Sequence, residues 1–487
     1  MTHEPLREEE PPVGREVPAG PSGVRRRTAA SGGAAGEGAV KASTGALLRY
    51  SAGSLGMGVW ITVPGMLLLY FMTDTLGVSP ALAGVTLLVP KIVDAVAHPA
   101  LGTWSDREAR RHGHRRRMLT VGLALAFAFT ALFTVPSALS GVGAALWVGV
   151  TYTAGNLLFA CFQVPYVTTP TELRIGYHER TRVFMFRMAA LTVGLLATGV
   201  AAPALVASGE RDAYSRAAMM LAAFMIVTGL VAVRGVRRLT EECGTLPPSG
   251  EGRSVVADVR AALRDRDFRP LLLAYLVTGT TTHLFLAAVP YYTAYILGDE
   301  KLTSVLMGAF LGPAVLVGPL WQALSRRHGK QRALMTAQTL FLAGCLALWP
   351  AGELGAAATV VVAVALGVAF AGLQLLSFSM LSDAVAAAEA RGDTRAGAYS
   401  GIWTATDATG TALGPYLYAL ALAIGGFVAT TEGTVPQPQR ALDLLLIGFT
   451  ALPAALMALA LMFQRRCRLD ERGRPEAVVR AGPESTI

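Results

Sequence analysis

Three titratable residues lie close together within one long apolar stretch: Lys91, Asp94 and His98. Offsets of three and four residues place all three side chains on one face of a helix. A charge at the centre of a membrane-spanning helix costs roughly 2.5–3.5 kcal/mol, so it needs a partner or a water-filled cavity. The group is predicted to handle a proton or another cation there. The alternatives are a static Lys91–Asp94 ion pair and a His98 that only hydrogen-bonds in a packed interface.

Asp407 is the comparable charge in an apolar stretch of the second half of the chain, and Thr404, Thr406, Thr409 and Thr411 surround it. A polar stripe of this kind is unsuited to lipid, so it predicts that Asp407 faces the same cavity. The alternative is a buried carboxylate that only accepts hydrogen bonds from those hydroxyl groups.

Other polar and aromatic side chains in apolar stretches could contact a substrate. Neighbouring aromatic rings can stack on ring-shaped ligands, although tyrosines also form belts at the membrane surface. Amide side chains can equally link helices at about 1 kcal/mol, and an arginine near a helix end can extend to the surface. The predicted substrate contacts are Asn156, Gln163, Arg187, His283, Tyr291, Tyr292, Gln374 and Trp403.

The amino-acid composition indicates that these residues are positioned by a membrane protein. Hydrophobic residues make up 53% of the 487 residues and charged residues 15%, whereas a soluble domain carries about 25% charged residues. The net charge of +9 comes from arginines placed in loops between apolar runs. That placement favours membrane topology over nucleic-acid binding. The four cysteines form neither a CxxC pair nor a disulfide framework, so no metal or other cofactor is predicted.

Apolar runs long enough to cross a bilayer recur along the chain. In lipid they must be helices, because only a helix satisfies its own backbone hydrogen bonds. The heptapeptide Arg110–Arg116 returns, little altered, as Arg326–Arg332, which predicts two similar bundles built by duplication. We therefore predict an all-α membrane protein of about twelve transmembrane helices in two pseudo-symmetric bundles of about six.

The predicted segments follow from these runs. Residues 235–269 form a cytoplasmic linker with an amphipathic helix or a solvated segment at Ser254–Asp267. The full set is a disordered tail at 1–42, a first bundle at 43–234, the linker at 235–269, a second bundle at 270–463 and a tail at 464–487.

Arginine and lysine set the orientation. They are concentrated in the loops after even-numbered spans, whereas Thr73–Ser79 and Pro136–Gly143 contain none. Both termini are therefore predicted to be cytoplasmic, in the cell membrane. Residues of the basic loops are predicted to gate conformational change: Asp106, Arg107, Arg115, Arg326 and Arg332.

Several passages resemble one family. Tyr70–Gly77 resembles its YYYTDVLG motif, and Lys91–Pro99 resembles R-I-W-D-A-x-x-D-P. Pro165–Tyr166, Pro170–Leu173 and Glu179–Arg187 resemble its PY…PELT…ERT…R signature. The chain is thus similar to the glycoside–pentoside–hexuronide:cation symporters of the major facilitator superfamily, the melibiose permease-like family.

The resemblance implies the two-bundle major facilitator fold, cation ligands on helices two and four, and sugar contacts from helices one, four, five and eleven. Lys91 and Asp94 meet motif positions of helix two, and Arg187 meets the helix-five arginine. His98 and Gln163 stand where the family has acids. Since those missing carboxylates would be sodium ligands, a proton is the expected coupling ion.

Two further departures concern the substrate. Met57 and Gly58 stand where sugar-binding members have a Lys-Asp pair on helix one, and Asp407 stands where a lysine is usual. Galactoside recognition therefore does not follow from the resemblance.

The expected function is secondary active transport by alternating access, as proton-coupled symport of a sugar, glycoside or related small solute by a monomer. No nucleotide-binding loop, nucleophile elbow or metal-ligand spacing points to an enzyme. The alternatives are a proton-driven exporter of a drug or secondary metabolite, and a membrane sensor that does not translocate.

Overall fold

A computed structural model describes residues 41–245, 265, 268–390 and 396–467 of the chain. Eleven helices in these ranges are long and apolar enough to cross a membrane, and a bent pair makes a twelfth. They are α1 (Thr44–Asp74), α2 (Pro80–His112), α3 (Arg116–Gly122 and Leu125–Phe133), α4 (Gly141–Glu172), α5 (Tyr177–Val206), α6 (Arg211–Cys243), α7 (Phe268–Tyr291, continued by the π-helical turn Tyr292–Ile296), α8 (Leu302–Leu311, Pro313–Leu316 and Gly318–His328), α9 (Lys330–Leu354), α10 (Ala356–Ala390), α11 (Ala396–Gly425) and α12 (Gln439–Phe449 and Ala451–Arg465).

The predicted all-α, two-half membrane architecture is confirmed, but several helices extend beyond their apolar runs. Helix α2 continues through the basic residues Arg110 and Arg111 to His112, and Gly113 follows it with a φ of 71°. Helix α6 continues to Cys243, so the predicted linker begins inside a helix. A helix that leaves the bilayer keeps its backbone hydrogen bonds until a residue such as glycine terminates it. The predicted tail at 1–42, the helix at Ser254–Asp267 and the tail at 464–487 lie largely outside the described residues.

The two halves reverse direction at corresponding glycines. Gly113 and Gly329 occupy the same position in the repeated heptapeptide, and both have positive φ angles, 71° and 87°. Glycine adopts this conformation without the steric cost that a side chain would bring. Each therefore allows a sharp reversal between an even-numbered helix and the next helix.

The halves meet mainly along three helix pairs: α1 with α7, α2 with α11, and α5 with α8. Small residues permit close approach at the second pair, where a Cβ atom on Gly84 would lie 2.9 Å from the Cβ of Ala419. Within the first half, α1 packs against α5 and α6. Such contacts through small residues drive helix association where lipid offers no hydrophobic effect between helices.

One prediction concerns the packing of α1 on α6. A Cβ on Gly235 would lie 2.2 Å from the backbone nitrogen of Tyr50, so Gly235→Ala must push the helices apart. Overpacking of this kind costs about 1–3 kcal/mol or more, and we expect a lower Tm for unfolding in detergent. Gly102→Ala is the matched control, since nothing lies within 4 Å of its added Cβ. Equal Tm values for the two variants would contradict the tight α1–α6 contact.

Candidate functional site

A cavity of about 160 Å³ lies between the two halves and is lined by side chains from α1, α2, α4, α7 and α11. The first half contributes a charged group on α2, and the second half contributes Asp407 on α11. The structure thus brings together residues that are about 120–320 positions apart in the chain. The predicted site residues in its lining are Lys91, Asp94, His98, Gln163, His283 and Asp407.

Asp94 and His98 form a close pair on α2. The Nδ1 atom of His98 lies 3.1 Å from Oδ1 of Asp94 and 3.1 Å from its backbone oxygen. Because both neighbours are acceptors, the geometry assigns a proton to Nδ1. Asp94 is 5% exposed, and Gln163 approaches the same imidazole. The neutral imidazole keeps Nε2 available to accept a second proton.

Lys91 does not form the static ion pair with Asp94 that was the alternative prediction. Its Nζ atom donates to Oδ1 of Asn156 at 3.1 Å and lies 5.5 Å from the centre of the Tyr152 ring. Asn156, a predicted substrate contact, is buried and uses its oxygen for this lysine. The Lys91 ammonium is therefore held by a residue of α4, whereas Asp94 is next to His98.

Asp407 is held within the second half by a residue that sequence reasoning missed. The hydroxyl of Tyr275 on α7 donates to Oδ1 of Asp407 at 2.7 Å. The predicted hydroxyl partners behave otherwise: Thr406 and Thr409 donate to backbone oxygens four residues earlier. Thr411 likewise donates to the backbone oxygen of Asp407, not to its carboxylate. The hydroxyl groups of Thr406, Thr409 and Thr411 thus donate to carbonyl oxygens of their own helix rather than to the carboxylate.

His283 of α7 lines the same cavity as Lys91, Asp94 and His98 of α2. Its Nδ1 atom is 2.8 Å from the backbone oxygen of Gly279, so this nitrogen carries a proton. Its Nε2 atom is 3.3 Å from the hydroxyl of Thr411. The imidazole thereby connects α7 to α11 beside Asp407.

Trp403 and Arg187, both predicted substrate contacts, do not line the cavity. Trp403 stacks on Tyr275 with ring centres 3.8 Å apart, which supports the tyrosine that holds Asp407. The guanidinium of Arg187 lies 5.8 Å from the ring centre of Tyr166. Gln374 is exposed and also lies outside the cavity lining.

The predicted Tyr291–Tyr292 substrate contact is replaced by two structural roles. The hydroxyl of Tyr292 donates to the backbone oxygen of Leu348 on α9 at 3.0 Å. Tyr291 hydrogen-bonds with Thr73 on α1 at 2.7 Å. Adjacent residues on a helix point about 100° apart, so the two rings leave α7 in different directions and cannot stack on one ligand.

An aromatic wall of the cavity was also missed from the sequence. Trp60, Tyr152 and Phe159 line it, and the Trp60 ring centre lies 5.8 Å from that of Tyr152 and 6.2 Å from that of Phe159. A tryptophan in an apolar run carries no sequence signal that separates a cavity from lipid. The wall offers a flat aromatic surface in the same cavity as the charged groups, and the Lys91 ammonium lies against its Tyr152 ring.

One end of the molecule, here called the acidic end, joins the halves through Asp74 and Glu300. Asp74 at the end of α1 is 1% exposed and accepts a hydrogen bond from the Tyr295 hydroxyl of the second half. Glu300 accepts one from Tyr70 of the first half at 3.1 Å. The backbone N–H of Thr430 donates to a carbonyl of α1 at 2.8 Å. Among the described residues, all hydrogen bonds recorded between the halves lie at this end.

The opposite end, here called the basic end, contains Arg110–Arg116 and Arg326–Arg332, and its ion pairs stay within each half. Arg115 donates to Glu172 at 3.2 Å and lies 2.7 Å from Asp106. Burial lowers the pKa of Arg115, but hydrogen bonds to these two carboxylates outweigh it and raise the pKa. A comparable clamp in the second half, from a neighbouring heptapeptide position, joins Lys330 to Asp383 at 2.6 Å.

Two of the predicted gating residues, Asp106 and Arg115, take part in this clamp. The other three, Arg107, Arg326 and Arg332, are exposed. The described residues of the basic end make no recorded ion pair between the halves, so the recorded polar contacts between the halves are those of the acidic end.

Residues 49–471 of the chain match the family described as MFS/sugar transport protein. The chain belongs to this family. The match confirms the family predicted from the helix-two and helix-five motifs, and it makes the protein a multi-pass membrane transporter rather than an enzyme.

Individual relatives agree. The chain is 25% identical over 434 residues to an isoprimeverose transporter of Lactiplantibacillus pentosus, covering 87% of this chain and 89% of that one. It is 27% identical to an uncharacterized symporter, YnaJ, of Bacillus subtilis, with 87% and 91% covered. Among solved structures, a bacterial homolog to the human lysosomal transporter Spinster has a TM-score of 0.63 at 14% identity, with 88% and 97% covered. That likeness confirms the fold.

The closed acidic end generates a second prediction. Tyr295→Phe removes a hydrogen bond to the buried carboxylate of Asp74, and bonds to charged groups contribute about 1.5–3 kcal/mol. We expect the halves to separate at this end in about ten times more molecules. Spin labels on Ser137→Cys and Glu432→Cys, both exposed loop positions, should show a longer distance by pulsed electron paramagnetic resonance.

The matched control is Tyr292→Phe, because that hydroxyl bonds only within the second half. Its distance distribution should equal that of the parent protein. A Tyr295→Phe distribution that also stays unchanged would show that Asp74 does not hold the halves together.

Proposed function

We propose that the chain is a proton-coupled symporter of a sugar, glycoside or related small solute, and that it works by alternating access. The observation that carries the proposal is the single cavity shared by Asp94 and His98 of one half and Asp407 of the other. A carrier of this fold exposes such a midplane site to each side in turn, as its halves rock about it.

The Asp94–His98 pair supports a proton as the coupling ion. Protonation of His98 at Nε2 would convert a carboxylate beside a neutral imidazole into an ion pair with no net charge. A net charge in a sealed cavity is costly, so loading the proton changes which conformation is favoured. A sodium site would need several oxygen ligands, whereas a nitrogen of His98 occupies the position nearest to Oδ1 of Asp94.

The cavity walls support a small polar ring as the substrate. Sugars present hydroxyl groups at their edge and C–H groups on their faces. The C–H face would pack on Trp60, while hydroxyl groups would reach Gln163, His283 and Asp407. The cavity of about 160 Å³ is smaller than drug-sized pockets of about 300–1,000 Å³. The relative named as an isoprimeverose transporter supports the glycoside class.

The basic end would face the cytoplasm, since arginine-rich loops remain on that side of the membrane. The described conformation would then be closed to the outside and able to release substrate inward. Each chain supplies both walls of the cavity, so a monomer suffices for transport.

The third prediction tests the coupling residue. Asp94→Asn keeps the shape of the side chain but removes its negative charge, so the adjacent imidazole loses the partner that favours its protonated form. In proteoliposomes with an imposed pH gradient, we expect accumulation of the transported glycoside to fall to the level of simple equilibration. Exchange of labelled for unlabelled solute should persist.

Asp212→Asn is the matched control, because Asp212 is exposed at the start of α6. It should accumulate solute like the parent protein. Uphill accumulation by Asp94→Asn would overturn the assignment of Asp94 to proton coupling.

The fourth prediction tests the aromatic wall. Trp60→Leu removes the flat surface and should raise the KM for the glycoside about two- to tenfold, because aromatic contacts contribute about 0.5–1.5 kcal/mol. Trp104→Leu, at a 47% exposed position of α2, should leave the KM unchanged. An unchanged KM in Trp60→Leu would place the sugar elsewhere.

A further inference from the structure

A second cavity lies at the basic end, wholly within the first half, and its volume of about 380 Å³ exceeds that of the central cavity. It is formed by the ends of α2, α4 and α6 and by the loop that leads into α3. We call it the basic-end pocket, and its characteristic lining residues are Arg110, His114, Arg116, Leu119, Pro165 and Val236. None of them lines the central cavity.

The charge of this pocket is unbalanced. Arg110, Arg115 and Arg116 line it together with one carboxylate, Glu172. That carboxylate is already bound to Arg115. Two guanidinium groups and the imidazole of His114 therefore face the pocket without an acid in its lining to neutralise them.

Arg116 gives a second, independent observation. Its Nη2 atom donates to Thr240 at 3.1 Å and is 3.9 Å from Glu241. Its Nε atom, in contrast, is buried and has no hydrogen-bond acceptor. A buried donor at a charged group is costly when unpaired, and a planar guanidinium is suited to an oxyanion that can accept from two nitrogens. An anion would supply the missing acceptor.

The remaining wall is apolar, because Leu119, Pro165 and Val236 lie beneath the basic groups. Since the pocket is formed where α2, α4 and α6 end, it lies at the level of the membrane surface. Basic pockets between transmembrane helices at this level are typical sites for anionic headgroups.

We propose that the basic-end pocket binds a phosphate group with a net negative charge, either in the headgroup of an anionic lipid or as a soluble phosphate. Arg110 and Arg116 bind the oxygens, with the Nε atom of Arg116 as one donor. This site is separate from the transport cavity and does not depend on what the protein carries.

The experiment measures the Tm of the purified full-length chain in detergent at constant ionic strength. One arm adds inorganic phosphate in place of chloride, and another adds dihexanoyl phosphatidylglycerol in place of zwitterionic dihexanoyl phosphatidylcholine. Binding to the folded state raises the Tm with ligand concentration. A shift with phosphatidylglycerol alone identifies a lipid headgroup, and an equal shift with inorganic phosphate identifies a soluble ligand.

The variants separate binding from general salt effects, because phosphate also stabilises proteins by exclusion from their surface. Arg116→Gln should weaken the apparent Kd about tenfold through loss of a charge-assisted hydrogen bond. Arg110→Gln should weaken it as well, and Arg110 is exposed, so folding is not at risk. Arg332→Gln is the matched control. Arg332 holds the position of Arg116 in the heptapeptide of the second half, and it lies outside this pocket.

The proposal is overturned if neither phosphate nor phosphatidylglycerol shifts the Tm more than its control. It is equally overturned if Arg116→Gln and Arg110→Gln respond as the parent protein does. Neither outcome bears on transport, which proteoliposome flux measures separately.

Discussion

The structure depends on how the charges between its helices are compensated. Asp94 is paired with His98 on the same helix, and Asp407 is held by Tyr275 of the same half. A charged group among membrane-spanning helices is costly without a partner. Because both contacts stay within one half, the halves can separate across the central cavity without breaking either of them.

The acidic end follows the opposite rule. Asp74 and Glu300 are bound across the halves, so opening at this end must break those hydrogen bonds. Water enters at the same moment and replaces the tyrosine hydroxyl groups, which keeps the net cost small. An interaction that is lost only when solvent arrives can act as a reversible closure, while the contacts of Asp94 and Asp407 stay intact within their halves.

The repeated heptapeptide allowed the two-half architecture to be predicted, and the offsets of Lys91, Asp94 and His98 allowed their common helix face to be predicted. The partners of these residues on other helices could not be predicted, because spacing along the sequence does not show which helices are in contact. Asn156 for Lys91 and Tyr275 for Asp407 are contacts of this kind. The same limit explains Tyr291, whose partner on α1 lies more than 200 positions earlier in the chain.

The most direct test of alternating access is to tether the halves where α2 meets α11. A Cβ on Gly84 would lie 2.9 Å from that of Ala419, and disulfides have Cβ separations of about 3.5–4.5 Å, so the pair Gly84→Cys and Ala419→Cys needs only a small shift to form a bond. Solute uptake into proteoliposomes should stop on oxidation and return on reduction. Uptake that continues at the same rate in fully oxidised protein would contradict the account, because the halves would then not need to part.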